Sequence, residues 1–170
     1  REQDLREKAS VDGLTGALNR KAAEQKINTL MQDKECKGYL LMLDIDDFKT
    51  VNDTMGHAIG DLALITLVKL LKEHFRREDI IGRLGGDEFI VFMTNTELAS
   101  AVEAKGAEIL DILAKSETIP HFTVSIGAAA YPAAGNDYES LYLAADNAMY
   151  ASKKSGKNRI YVDNGQQKKE

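Results

Sequence analysis

The chain has 170 residues, 44% of them hydrophobic and 29% charged, a composition that predicts one globular domain rather than a disordered or fibrous chain. No apolar run approaches the roughly 20 residues that a membrane-spanning helix needs. Twenty-seven acidic against 22 basic residues give a net charge of -5, which argues against a general nucleic-acid-binding surface. Cys36 is the only cysteine, so no internal disulfide can form, and a reducing, cytoplasmic compartment is expected.

Helix-like and strand-like periodicities alternate along the chain, which is typical of an α/β or α+β domain with one mixed sheet. The charged segment 1–10 resembles the end of a longer helix, and the polar segment 164–170 is expected to be a flexible tail. Between them, helices are predicted over 19–33, 61–75, 97–115 and 139–154. Strands are predicted over 39–45, 80–84, 88–93, 122–128 and 159–162. The alternation in 122–128 predicts that one face of that strand is more hydrophobic than the other.

Two of these strands place acidic residues at their ends. The first predicted strand is a nearly unbroken apolar run, which indicates a central strand covered on both faces, and Asp44 lies at its end. The Gly85-Gly86 pair between the next two strands tolerates the positive φ angles of a tight hairpin turn. The tip of that hairpin is therefore expected to carry Asp87 and Glu88.

The two acidic clusters, LDIDDFK around Asp44 and GGDEF around Asp87, offer hard carboxylate oxygens from two chain segments, as a Mg²⁺ site requires. Spacing alone leaves their convergence open, and an acidic turn viewed in isolation is more often a solvated loop. The chain has no phosphate-loop motif, no dinucleotide-binding glycine motif and no zinc-like spacing of its three histidines with Cys36. Kinase-like, Rossmann and zinc-hydrolase classes are therefore disfavoured.

The chain resembles the GGDEF domains, the diguanylate cyclases, over about residues 10–162. The matching blocks are DGLTGALNR (12–20), DIDDFKTVNDTMGHAIGD (44–61), RLGGDEF (83–89), TVSIG (123–127) and ADNAMYASKKSGKN (145–158). The resemblance implies a palm-like α/β fold, related to nucleotide cyclases and polymerases, with helices around a central mixed sheet that includes the GGDEF hairpin. It places the catalytic domain at 11–163, after an upstream linker helix that ends in 1–10.

The resemblance also implies the reaction, in which two GTP condense into cyclic di-GMP with release of two pyrophosphates. Each subunit of a homodimer would hold one GTP with two Mg²⁺ or Mn²⁺ ions. Carried over residue by residue, Asp44, Asp87 and the carbonyl of Ile45 are the metal ligands, and Glu88 lies beside them. Asp87 is also the favoured proton acceptor, and Arg83 is expected to stabilise charge on the transferring phosphate.

Asn52 and Asp61 match the positions that read guanine. A carboxylate at Asp61 can accept from both the N1-H and the exocyclic amine, a donor pair that adenine lacks. The alternative for Asp61 is a capping residue at the start of the helix predicted over 61–75. His57 is either part of the substrate site or a packing residue.

Three lysines match phosphate-contacting positions, namely Lys49, Lys153 and Lys157. Lys157 departs from the family pattern, because arginine is more common there. Lysine keeps the charge but loses the planar fork, so a looser phosphate contact is expected, with a plain surface charge as the alternative.

Arg76 and Asp79 form an R-x-x-D motif, separated from Gly85 by five residues, that matches the family's inhibitory product site. Arginine suits phosphate and the guanine Hoogsteen edge, and aspartate suits the Watson-Crick donors of guanine. The alternative is a surface ion pair that selects no ligand.

The leading interpretation is an active diguanylate cyclase module at the output end of a longer sensor protein. Two alternatives are a non-catalytic receptor for GTP or cyclic di-GMP and a protein-interaction scaffold. Retention of every metal and guanine position favours the enzyme. The expected partners are GTP, the product as inhibitor, a second copy of the chain and an upstream sensor or regulatory domain, without nucleic acid. The upstream signal and any membrane attachment of the parent protein stay open.

Overall fold

The computed structural model describes residues 2–166, which form six helices and six strands. In chain order these are α1 (Glu2–Ser10), β1 (Leu18–Asn19), α2 (Arg20–Met31), β2 (Gly38–Ile45), α3 (Phe48–Met55), α4 (His57–His74), β3 (Ile80–Gly85), β4 (Glu88–Thr94), α5 (Ala99–Lys115), β5 (Val124–Tyr131), α6 (Tyr138–Lys154) and β6 (Arg159–Asp163). Residue 1 and most of the tail predicted at 164–170 lie outside the described residues. Within residues 2–166, no helix is long and apolar enough to cross a membrane.

The six strands form one mixed sheet in the order β1-β3-β4-β2-β5-β6. The central strand β2 is antiparallel to β4 and β5, and β3 is antiparallel to β4. The short edge strands β1 and β6 are parallel to their neighbours. The predicted α/β fold with a central mixed sheet and a GGDEF hairpin is therefore confirmed.

Helices cover both faces of the sheet, so every residue of β2 is buried. Leu41 and Leu43 point into a core shared with α4 and α5. Leu40 and Met42 point to the opposite face, into a second core shared with α2 and α6. An apolar run without alternation is what a strand between two helical layers requires, as the sequence predicted.

Strand β5 is also buried on both faces, which differs from the one-sided strand that its alternation predicted. Helix α6 packs directly on the face that carries the small residues. A Cβ built on Gly127 would lie 2.0 Å from the backbone nitrogen of Met149, so no side chain fits there. The small residues of β5 therefore mark close helix packing rather than exposure.

The segment before the long helix also differs from prediction. A separate helix, α3, occupies Phe48–Met55, and α4 begins at His57, four residues before the predicted start. Gly56, at φ 90°, separates the two helices in a conformation that glycine adopts without strain. Asp61 therefore lies in the second turn of α4, and its alternative role as the helix cap is wrong.

Candidate active site

The two acidic clusters meet where β2 ends beside the hairpin between β3 and β4. Asp44 is paired directly with Glu88 across the two strands. The backbone N-H of Ile45 donates to the carbonyl oxygen of Asp87 at 3.3 Å. Gly86 has φ 52°, as expected for a residue in this tight turn. The convergence that spacing left open is thus present in the fold.

Asp44 is the most perturbed carboxyl of this site. Its side chain is 9% exposed, and its Oδ2 accepts a hydrogen bond from Lys153 of α6. Its Oδ1 is buried and has no hydrogen-bond partner among the described residues. The pKa of Asp44 is raised to about 7, chiefly by burial and next by the neighbouring Asp87 carboxyl, while Lys153 opposes the shift.

A divalent cation fits these donors. An unpartnered buried carboxylate oxygen, a second carboxylate and the carbonyl of Ile45 at the strand end are hard oxygen ligands of the kind that Mg²⁺ and Mn²⁺ prefer. A cation there would also offset the burial and the nearby Asp87 carboxyl, which together raise the pKa of Asp44.

Asp44→Asn is expected to stabilise the metal-free protein at pH 8, by on the order of 1 to 2 kcal/mol. The pKa of Asp44 lies near 7 in the fold, above its ordinary 3.8, so ionisation destabilises the fold as pH rises from about 4 through 7. Urea denaturation in a chelator should show the advantage at pH 8 and its decline toward pH 4. Asp53→Asn, at an exposed residue of α3, is the matched control. A less stable Asp44→Asn variant at pH 8 contradicts the expectation.

The predicted phosphate lysines lie on the elements around these acids. Lys153 reaches Asp44 from α6, and Lys157 Nζ donates to Asp47 Oδ1 at 2.6 Å. The hydrogen bond and charge of Asp47 raise the pKa of Lys157. Lys49 is exposed in the first turn of α3. The structure therefore places two ammonium groups, one from α6 and one from the loop after it, against carboxylates at the acidic strand end.

The predicted guanine residues lie where α3 and α4 touch. Asn52 of α3 packs against Gly60 of α4, since a Cβ built on Gly60 would lie 1.8 Å from Asn52 Oδ1. Asp61, the next residue along α4, is exposed. His57 is exposed in the first turn of the same helix, which argues against the packing alternative. The Asn52 amide thus lies against the residue that precedes Asp61, and Asp61 itself is exposed.

Arg83 forms hydrogen bonds to the backbone of the hairpin turn. Its Nε and Nη2 donate to the carbonyl oxygen of Gly86 at 3.0 and 2.7 Å, and its Nη1 donates to Asp12 at 3.2 Å. Only 15% of the side chain is exposed. These contacts give Arg83 a structural role in addition to the predicted one, which stays a prediction. Glu88 lies close enough to α6 that its charge, after burial, raises the pKa of Tyr142.

Sequence reasoning counted Asp46 only as a member of the acidic cluster LDIDDFK and gave it no individual role, although it is one of the most densely bonded side chains of the site. Its carboxylate is buried and accepts from Thr123 Oγ1 at 2.6 Å, Ser125 Oγ at 2.6 Å and the backbone N-H of Asn158 at 3.0 Å. The alternation predicted Ser125 on the less hydrophobic face of its strand, whereas the structure buries the Ser125 hydroxyl, and a buried hydroxyl needs a partner.

The R-x-x-D motif lies at the opposite end of β3, roughly 20 Å from the hairpin along the strand. Asp79 has a side chain only 1% exposed, and it accepts from the backbone N-H groups of Arg76 at 2.9 Å and Thr94 at 3.0 Å. Arg76 donates to the carbonyl oxygen of Thr94 at 2.9 Å and keeps half of its side chain exposed. A plain surface ion pair is therefore wrong for Asp79. Both motif residues line a groove whose other walls are α1 and α2.

Known proteins resemble this chain over most of its length. It is 38% identical over 160 residues to the probable diguanylate cyclase DgcC of Escherichia coli K12, a match that covers 89% of this chain and 42% of DgcC. It is 38% identical over 139 residues to diguanylate cyclase A of Treponema denticola, covering 79% of this chain and 37% of that protein. The chain thus spans less than half the length of these relatives.

A solved structure and a family model agree with these relatives. The coiled coil and GGDEF domain of DgcB from Caulobacter crescentus, in complex with c-di-GMP, superposes with a TM-score of 0.86 at 30% identity, covering 95% of this chain and 89% of that one. The family model described as "Diguanylate cyclase, GGDEF domain" matches residues 9–159. On this match, and as its sequence motifs predicted, the chain belongs to the GGDEF family of diguanylate cyclase domains.

Proposed function

We propose that the chain is an active diguanylate cyclase module, which condenses two GTP into cyclic di-GMP and two pyrophosphates. The observation that carries the proposal is the buried, unpartnered Oδ1 of Asp44 beside the Asp87 hairpin. An unsatisfied carboxylate oxygen of this kind destabilises the apo fold, so its retention favours a ligand-binding role. A purely structural turn gives no reason for two neighbouring carboxylates and a lysine at one strand end.

Asp44, Asp87 and the carbonyl of Ile45 are proposed to hold two Mg²⁺ or Mn²⁺ ions. Bound there, the metal would polarise the α-phosphoryl group and lower the pKa of the attacking ribose 3'-hydroxyl. The reaction forms a bond from the 3'-oxygen to the α-phosphorus and breaks the bond from that phosphorus to the bridging oxygen, so pyrophosphate leaves. Asp87 is the proposed acceptor of the hydroxyl proton, with Glu88 beside it.

The surrounding side chains account for substrate choice. Asp61 and Asn52 are proposed to bind guanine at the contact between α3 and α4, where Asp61 is exposed and Asn52 is half-buried. Lys153 and Lys157 now pair with carboxylates of the site and are proposed to turn to the triphosphate. Because the chain has a net charge of -5, binding of a polyanionic triphosphate needs local positive charge, which these two lysines supply.

Lys49, from α3, and Arg83, from the hairpin, complete the proposed charge around the phosphates. The Arg83 guanidinium already donates hydrogen bonds to Gly86 and Asp12. Its proposed stabilisation of charge on the transferring phosphate would be additional to this structural role. His57 is proposed to lie at the entrance to the guanine site, since it is exposed one turn before Asp61.

One chain presents one such site, so a product with two guanosines requires two sites face to face. A homodimer is therefore part of the proposal. The test is incubation of the chain with GTP and Mg²⁺ at increasing protein concentration, with chromatographic detection of cyclic di-GMP. Specific activity should rise with concentration, because dimers form by mass action. Nucleotide binding without product would favour the receptor, and no nucleotide binding would favour the scaffold.

A domain organisation is also proposed. The catalytic domain would span 11–163, and α1 would be the end of a linker from an upstream sensor or regulatory domain. The relatives that match this chain are more than twice as long as the matched region, which supports additional domains. The free thiol of Cys36 favours a cytoplasmic location for the domain.

We also propose that the motif of Arg76 and Asp79 binds the product and inhibits synthesis, with Arg76 as the contacting residue and the buried Asp79 holding the turn that carries it. Arg76 keeps half of its side chain exposed at a groove beside α1 and α2, so its guanidinium is available to phosphate and guanine. The structure of DgcB was solved in complex with c-di-GMP, so a GGDEF protein of this fold binds the dinucleotide.

Arg76→Ala should weaken calorimetric binding of cyclic di-GMP about tenfold or more, because it removes a charge-assisted donor. Initial GTP turnover should persist, and product should accumulate further before the rate falls. Lys115→Ala, which removes an exposed positive charge at the end of α5 and outside this groove, is the control. Equal affinity in wild type and Arg76→Ala would exclude the motif as the product site.

A further inference from the structure

The Asp46 carboxylate joins three separate segments of the active-site end. Its Oδ1 accepts from Ser125 of β5, and its Oδ2 accepts from Thr123 just before that strand and from the backbone of Asn158. All three donors lie within 3.0 Å of an oxygen of a side chain that is buried. Both oxygens are thus occupied by the protein, which distinguishes Asp46 from Asp44 two residues earlier.

Asn158 belongs to a loop in an unfavourable backbone conformation. Lys157 and Asn158 have φ of 64° and 51°, in the left-handed region that non-glycine residues rarely adopt. This conformation is unfavourable for lysine and less so for asparagine, and it persists where surrounding contacts hold it. The contacts here are the bond from the Lys157 N-H to the carbonyl of Ser152 and the bond from the Asn158 N-H to Asp46.

This loop, residues 156–158, places the Lys157 ammonium beside the acidic strand end. With the backbone so held, the Lys157 ammonium lies 2.6 Å from Asp47, the residue that follows Asp46. Lysine has a flexible stem and no planar fork, so its placement depends on the backbone that carries it. Placement of the charged group therefore depends more on a rigid loop with lysine at this position than it would with arginine.

We propose that Asp46 is a positioning residue, which fixes the 156–158 loop so that Lys157 contacts the triphosphate of the bound nucleotide. The inference rests on the proposed function of the site. Asp46 itself touches neither nucleotide nor metal, since its oxygens accept three hydrogen bonds inside the protein. A role in the stability of the fold alone would weaken all nucleotides equally, whereas positioning of Lys157 affects only those with a polyphosphate.

The test compares two nucleotides by calorimetry in the presence of Mg²⁺. The 3'-deoxy analogue of GTP lacks the attacking hydroxyl and cannot react, and GMP lacks the β- and γ-phosphates. Asp46→Asn should lower the affinity for 3'-deoxy-GTP about tenfold, the equivalent of one lost hydrogen bond to a charged group, and leave that for GMP within about twofold. Asp53→Asn, with the same charge change on exposed α3, should leave both unchanged.

A double-mutant cycle tests whether the effect of Asp46 on nucleotide binding depends on Lys157. If Asp46 acts through Lys157, then Asp46→Asn has little further effect in a Lys157→Ala background. Fully additive losses, or an Asp46→Asn variant that is folded and binds 3'-deoxy-GTP like wild type, would overturn the inference. Failure of the wild-type chain to bind 3'-deoxy-GTP would instead refute the proposed function.

Thr123→Val is the second variant, should Asp46→Asn not fold. It removes a single donor from the carboxylate and preserves the side-chain shape. About threefold weaker binding of 3'-deoxy-GTP with unchanged GMP affinity is expected, since one neutral hydrogen bond is lost. Equal loss for both nucleotides would assign Asp46 to the fold alone.

Discussion

Asp87→Asn is expected to reduce synthesis of cyclic di-GMP by more than roughly a thousandfold while the fold stays intact. The change removes a negative charge from the proposed metal site and the proposed proton acceptor in one step, yet keeps the side-chain shape. The hairpin itself depends on the backbone of Asp87, whose carbonyl accepts from Ile45, and a side-chain amide preserves that bond. Catalysis and folding are therefore separable at this residue.

The measurement is product formation from GTP and Mg²⁺ by chromatography, with thermal unfolding as the folding control. The metal-free variant should be at least as stable as wild type, because loss of the Asp87 charge lowers the pKa of the buried Asp44 toward its ordinary value. Asp53→Asn should retain wild-type activity. Near-normal activity in Asp87→Asn, with metal still required, would place the catalytic site elsewhere.

The parts of the fold that the sequence predicted are those in which one pattern dominates. The apolar run of β2 has no alternation, so it indicated burial on both faces. The Gly85-Gly86 pair fixed the hairpin turn. Helix α3 was missed because it has only eight residues and none is buried, so it lacks the long apolar stripe that indicates a helix.

Only part of the site could be predicted, because its residues are far apart in the sequence. Asp44 and Asp87 are 43 residues apart in sequence, and only the strand register, with Asp44 opposite Glu88, brings them together. Local pattern carries no information on that register, so the prediction relied on resemblance to a family. Asp46 was missed because its role depends on donors from β5 and the 156–158 loop, which spacing does not place beside it.

The contact between Asn52 and Gly60 leads to the last prediction, that Gly60→Ala weakens guanine binding on the order of a hundredfold, the equivalent of about two lost hydrogen bonds. A Cβ at this position would lie 1.8 Å from Asn52 Oδ1 and 2.9 Å from its Cγ. Something must move, and the Asn52 side chain is the group with freedom to do so. Its amide would then leave its place against Gly60, the residue before Asp61.

The helix should tolerate this change, because alanine is favoured over glycine inside a helix by about 1 kcal/mol. Calorimetry with GMP measures the guanine site, and the ratio of 3'-deoxy-GTP to GMP affinity measures the triphosphate contacts. Gly60→Ala should lower both affinities and leave their ratio unchanged, the reverse of the pattern expected for Asp46→Asn. Gly13→Ala, at an exposed glycine where a Cβ meets no atom within 4 Å, is the control. Unchanged GMP affinity in a folded Gly60→Ala variant would show that guanine is not read by Asn52 at this contact.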